Sequence, residues 1–68
     1  MTETTALLRA IYHEQVATSL ALHAVGFFQG METTDAAAYL AKAAETHNLA
    51  DGYYRLADEL AKEAANDA

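Results

Sequence analysis

The sequence predicts an all-α protein: an antiparallel hairpin of two long helices, about residues 4–29 and 34–66, that self-associates into a helical bundle. Three observations lead there. Proline is absent, glycine occurs three times and alanine supplies 17 of the 68 residues, with Leu, Glu, Gln, Lys and Arg adding more strong helix formers. No stretch alternates apolar and polar residues over the length of a strand. Alanines recur at a spacing of seven on both sides of a single break.

The first helix runs from Thr4 or Thr5 to Gln29 and carries Ala10, Ala17 and Ala24 in one row. Its apolar residues occupy two sides. At 100° per residue, Val16, Leu20, Ala24, Phe27 and Phe28 form one broad face. Leu7, Leu8, Ile11, Leu22 and Val25 form another, roughly opposite.

The break is Gln29-Gly30-Met31-Glu32-Thr33. Gly30 suits the left-handed position after a helix end. Thr33 or Thr34 is placed to cap the next helix, with Asp35 in its first turn. So short a connection makes the two helices antiparallel neighbours. Residues whose numbers add to roughly 63 then lie side by side, which sets Ala10 near Tyr53 and Val16 near His47.

The second helix starts near Thr34 and ends near Asn66. Its seam is Ala36, Ala43, Ala50, Ala57 and Ala64, followed by Tyr39, Thr46, Tyr53 and Leu60 and flanked by Leu40, His47, Tyr54 and Ala61. The stretch His47 to Gly52 offers an alternative, a turn near Asn48 that would make a three-helix bundle. The unbroken spacing of seven favours one helix, because a turn would reset the register. On its outer side Asp51–Arg55, Arg55–Glu59 and Asp58–Lys62 are i,i+4 pairs of opposite sign.

Size and composition bound the rest. Sixty-eight residues make one domain, and so short a chain buries only about 60% of its unfolded surface. Disulfides cannot help, because there is no cysteine. One neighbouring helix covers one face of the first helix, so a second copy is the simplest cover for the other, and a two-fold dimer is expected. Leu7, Leu8, Ile11, Tyr12, Leu22, Val25, Phe27 and Phe28 are the candidate partner or oligomer interface.

Net charge is −6, with −1 in residues 1–30 and −5 in residues 31–68. Such a surface repels phosphate backbones, so no direct nucleic-acid binding is expected. The most apolar stretch, Val16 to Phe28, is 13 residues, short of the ~20 that span a bilayer. The N-terminus lacks the basic region and cleavage site of a signal peptide. The expectation is a cytoplasmic protein with no membrane association.

Chemistry is sparse. His13, Glu14 and His47, with Tyr54 nearby, are the candidate metal ligands, imidazole and carboxylate suiting zinc or iron. Their spacing matches neither His-x-x-x-His nor the Glu-x-x-His of di-iron bundles. His13 and Glu14, being adjacent, point about 100° apart. No nucleophile–base arrangement or glycine-rich phosphate loop is present. Neither an enzyme nor a cofactor is expected.

In architecture, though not in residues, the chain resembles Rop-type RNA-binding hairpins, which dimerise into four-helix bundles. Those act through a basic face on the first helix, where this chain offers only Arg9. Phe28-Gln29-Gly30 at the turn and Tyr54-Arg55-Leu56-Ala57-Asp58 are faintly similar to the Trp-x-Gly and Tyr-x-x-x-Asp/Glu of the WXG-type substrates of type VII secretion. Phenylalanine replaces tryptophan, the chain is short, and the tyrosine motif lies within the predicted core helix. That similarity implies a small helical secretion substrate as one alternative. A ligand- or metal-binding bundle with its site at the subunit interface is another. The leading expectation is a non-enzymatic adaptor, regulator or inhibitor acting through protein–protein contacts.

Overall fold

A computed structural model describes residues 1–67. Helix α1 spans Glu3–Gln29 and helix α2 spans Thr33–Asp67, and the two pack antiparallel. α2 is continuous through Asn48–Gly52, so the alternative turn there does not form. A Cβ on Gly52 would meet nothing within 4 Å, and its φ is not in the left-handed region. Gly52 therefore marks neither a bend nor a close approach, only a helix position costing about 1 kcal/mol relative to alanine.

α1 begins at Glu3, just ahead of the expected Thr4 or Thr5. Thr2 is extended and caps the helix, its hydroxyl accepting the Thr5 N–H at 3.1 Å. Glu3 in the first turn complements the positive helix end.

The reversal differs from the expected one by one residue. Gly30 is not left-handed, with φ −84° and ψ 4°, and it donates its N–H to the Gly26 carbonyl at 3.1 Å. Met31 adopts the left-handed conformation instead, at φ 65°. The Met31 N–H then reaches the Phe28 carbonyl at 3.1 Å and the Glu32 N–H reaches the Phe27 carbonyl at 2.8 Å. These are the two bonds of a Schellman end, which satisfies carbonyls that the last turn leaves open. α2 starts at Thr33, so Thr33 and Thr34 lie inside its first turn rather than capping it.

The core is an alanine seam. Ala6, Ala10, Ala17 and Ala24 of α1 and Ala36, Ala43, Ala50 and Ala57 of α2 are buried, together with Thr46. Among the described residues no large side chain is fully buried. Thr46 donates its hydroxyl to the Lys42 carbonyl at 2.8 Å, which makes its burial tolerable. Methyl groups facing methyl groups let the two backbones approach closely. Ala64, the last member of the α2 row, is exposed. At 35 residues α2 outruns the 27 of α1, so its final turns have no helix beside them.

Cross-helix contacts pair Tyr53 with Arg9 and His13, Tyr39 with His23 and Phe27, and Tyr54 with Glu14, within about one helical turn of the expected register. The molecule is a rod of 56 × 13 × 13 Å. Of the three expected ion pairs on α2, Asp58–Lys62 closes at 3.0 Å. Asp51 lies 3.8 Å from His47 rather than against Arg55, and Lys42 finds Glu45 at 3.5 Å. All are solvent-exposed, worth roughly 0–1 kcal/mol apiece.

Candidate functional site

Packing through alanine decides what is left outside. The fully buried residues of α1 contribute one methyl each, and most of the large apolar side chains of that helix point elsewhere. Leu8 is 62% exposed, Tyr12 61% and Leu22 67%, with Ile11, Val25 and Phe28 near half. Leu7 stands at the margin, 36% exposed. Of the eight expected interface residues only Phe27 turns clearly inward, half-buried with its ring 5.1 Å from that of Tyr39. From Thr4 to Gln29, α1 carries charge only at Arg9 and Glu14. Arg9 lies 5.8 Å from the centre of the Tyr53 ring, and Glu14 is half-buried against α2. The outward side of α1 is therefore an uncharged stripe, apolar toward both ends and polar at its middle, at Gln15 and Thr18.

An open groove of about 550 Å³ lies where this stripe meets the hairpin end, lined by Leu22, His23, Gly26, Phe27, Gly30 and Glu32. Its walls are mostly apolar, and its chemistry is that of a contact surface.

The candidate metal ligands do not converge within one chain. The His13 ring stacks on Tyr53, centroids 5.5 Å apart and planes 2° from parallel, with Tyr12 against its edge at 5.3 Å. Glu14 accepts the Tyr54 hydroxyl at 3.0 Å. His47 is exposed and lies beside Asp51. Among the described residues no three His, Cys, Asp or Glu side chains gather as a possible metal site.

Two features were not legible as functional in the sequence. One is the Glu14–Tyr54 bond, the only side-chain hydrogen bond between the helices among the described residues. It pushes the Tyr54 pKa above the ordinary 10.0, first because the carboxylate holds the phenolic proton, then through desolvation and repulsion from Glu14 and Asp51. The other is a pair of imidazole–phenol stacks, His13 on Tyr53 and His23 on Tyr39, the second at 5.7 Å. The sequence signal for both was the antiparallel register, which brings these residues level.

The turn motif and the tyrosine motif fall at opposite places. Phe28 and Gly30 are exposed at the hairpin end, whereas Tyr54 and Asp58 lie within α2, Tyr54 tied to α1. No helix among the described residues is long and apolar enough to cross a membrane. Comparison with known protein families, with curated proteins and with solved structures finds no match to this chain.

Proposed function

We propose that this hairpin is a non-enzymatic interaction module whose working surface is the outward apolar stripe of α1, and that it self-associates as a dimer through that stripe. The observation that carries the reading is the inversion of the usual arrangement: methyls fully buried, while Leu7, Leu8, Ile11, Leu22 and Val25 of α1 stand exposed. A buried alanine methyl contributes about 0.8 kcal/mol, whereas covering a Leu, Ile or Phe side chain contributes about 1.5–3 kcal/mol. Most of the apolar stabilisation this sequence can provide is thus unused in the lone hairpin. A partner recovers it. The acidic α2, with its interleaved Lys42, Arg55 and Lys62, stays in water and remains available to a further protein, in keeping with an adaptor or regulator.

Sedimentation equilibrium over a hundredfold concentration range tests this. The wild-type chain of 7.3 kDa is expected at twice that mass. Leu22→Glu places a charge in the stripe without touching the alanine seam. It is expected to sediment as a monomer with helical content retained. A wild-type monomer throughout the range would overturn the reading.

A further inference from the structure

We infer that the occupant of the α1 stripe is the same stripe of a second copy, running antiparallel about a two-fold axis that passes between Val16 and Ala17. The inference deepens the self-association proposed above and rests on it.

The spacing of the stripe points to this partner. Leu8, Ile11, Gln15, Thr18, Leu22 and Val25 follow one another at alternating intervals of three and four, the spacing of a coiled-coil seam. All six lie outside the hairpin. Read from the middle outward, the order is the same in both directions: polar, apolar, apolar. An antiparallel two-fold therefore sets Leu8 against Val25 of the partner, Ile11 against the partner's Leu22, and Gln15 against the partner's Thr18. Every apolar layer meets an apolar layer, and the polar residues meet each other. Thr18 already donates its hydroxyl to the Glu14 carbonyl at 3.0 Å. Its lone pairs are left to accept from the Gln15 amide of the other copy. Two adjacent polar layers, related by the axis, in an otherwise apolar seam fix register and orientation at some cost in affinity.

The flanking positions agree. On the side nearer α2, the same axis brings Leu7 beside the partner's Phe28, two further exposed apolar residues, and sets Glu14 against the partner's Ala21 rather than another carboxylate. Antiparallel α1 helices also oppose their macrodipoles favourably. They carry the two acidic C-terminal halves of α2 to opposite ends of the assembly, where a parallel pair would crowd them.

The total exposed area is in keeping with such a contact. The chain exposes 4849 Å². A compact folded monomer of its mass exposes roughly 4,200 Å², and each partner in a standard interface contributes about 800 Å². The surplus of this rod is of the size one side of a dimer contact removes.

Because the chain has no cysteine, single thiols report the geometry directly. Leu8→Cys and Val25→Cys variants are each confirmed as dimers by sedimentation, then treated with a short bismaleimide alone and as an equal mixture. The expected result is a cross-linked dimer in the mixture only, at least tenfold above either variant alone, since Leu8 and its symmetry mate would lie about 25 Å apart along the axis. Cross-linking of each variant to itself would mean a parallel pair and would overturn the inference while self-association stands. Dimers with no cross-link in any sample would overturn it equally, by placing the contact off this seam. Monomers would overturn the self-association reading itself. A second variant, Gln15→Leu with Thr18→Leu, is expected to dimerise at least as tightly yet lose the single orientation. An unchanged cross-linking pattern in that background would remove the polar layers from the argument.

Discussion

At the hairpin turn, two adjacent residues exchange the roles their identities suggest. Gly30, free to be left-handed, is not, while Met31 is held at φ 65°, a region that disfavours side chains by roughly 1–2 kcal/mol. A Cβ at Gly30 would meet only the Gly26 and Phe27 carbonyl oxygens, both at an ordinary 3.7 Å. Gly30→Ala is therefore expected to raise stability by about 0.4–1 kcal/mol through the unfolded state, and Met31→Gly by about 0.5–1 kcal/mol through relief of strain. Urea unfolding at one fixed protein concentration checks both; a loss of stability in Met31→Gly would refute this description of the turn. The sequence located the reversal but misplaced its left-handed residue. Composition marks glycine as permissive, whereas the number of residues α1 winds before its last bond decides which one must reverse. Tyr54 gives a pH signature at the same scale. Its phenol is held protonated by Glu14. A raised folded pKa means that the contribution is complete below the unfolded value near 10.0 and is lost as pH rises through the folded value. Ultraviolet titration should show a late tyrosine step, above the ordinary 10.0. That late step should vanish in Tyr54→Phe and move earlier in Glu14→Gln.

Between the helices, the seam tolerates nothing larger than a methyl on the α1 side. Ala17 is 8% exposed, and the buried residues of α2 are alanines and Thr46. Ala17→Leu adds three carbons where two backbones meet. It is expected to cost about 1–3 kcal/mol, read as a lower urea midpoint, because the helices must separate along a stiff rod. An unchanged midpoint would mean that the seam is looser than its burial indicates. This level of organisation was the most legible in the sequence. A repeat of seven survives any uncertainty about individual contacts, and it gave both helices and the continuity of α2 through Gly52. What it could not give was the pairing of polar side chains. Arg55 had two carboxylates at the right spacing, yet Asp51 faces His47 instead. Such exposed pairs differ by tenths of a kcal/mol, too little for spacing to choose among them. The proposed metal ligands failed to meet for a related reason. His13 and Glu14 point in different directions from one helix, and each has a partner of its own on α2, in Tyr53 and Tyr54.

As a whole the molecule is a rod, with a radius of gyration of 15.9 Å against the ~11 Å of a compact domain of this length. A thin alanine core joined to an exposed apolar stripe gives the account its central claim: the hairpin is half of a folded unit, and its stability depends on finding the other half. The most direct test is the thermal midpoint as a function of chain concentration. A protein that completes its core by dimerising unfolds at a temperature that rises with concentration, because mass action favours the associated folded state. A steady rise across a hundredfold range for the wild type, abolished in Leu22→Glu, is the predicted result. A midpoint independent of concentration would contradict the claim, since the wild-type fold would then draw no stability from a second copy.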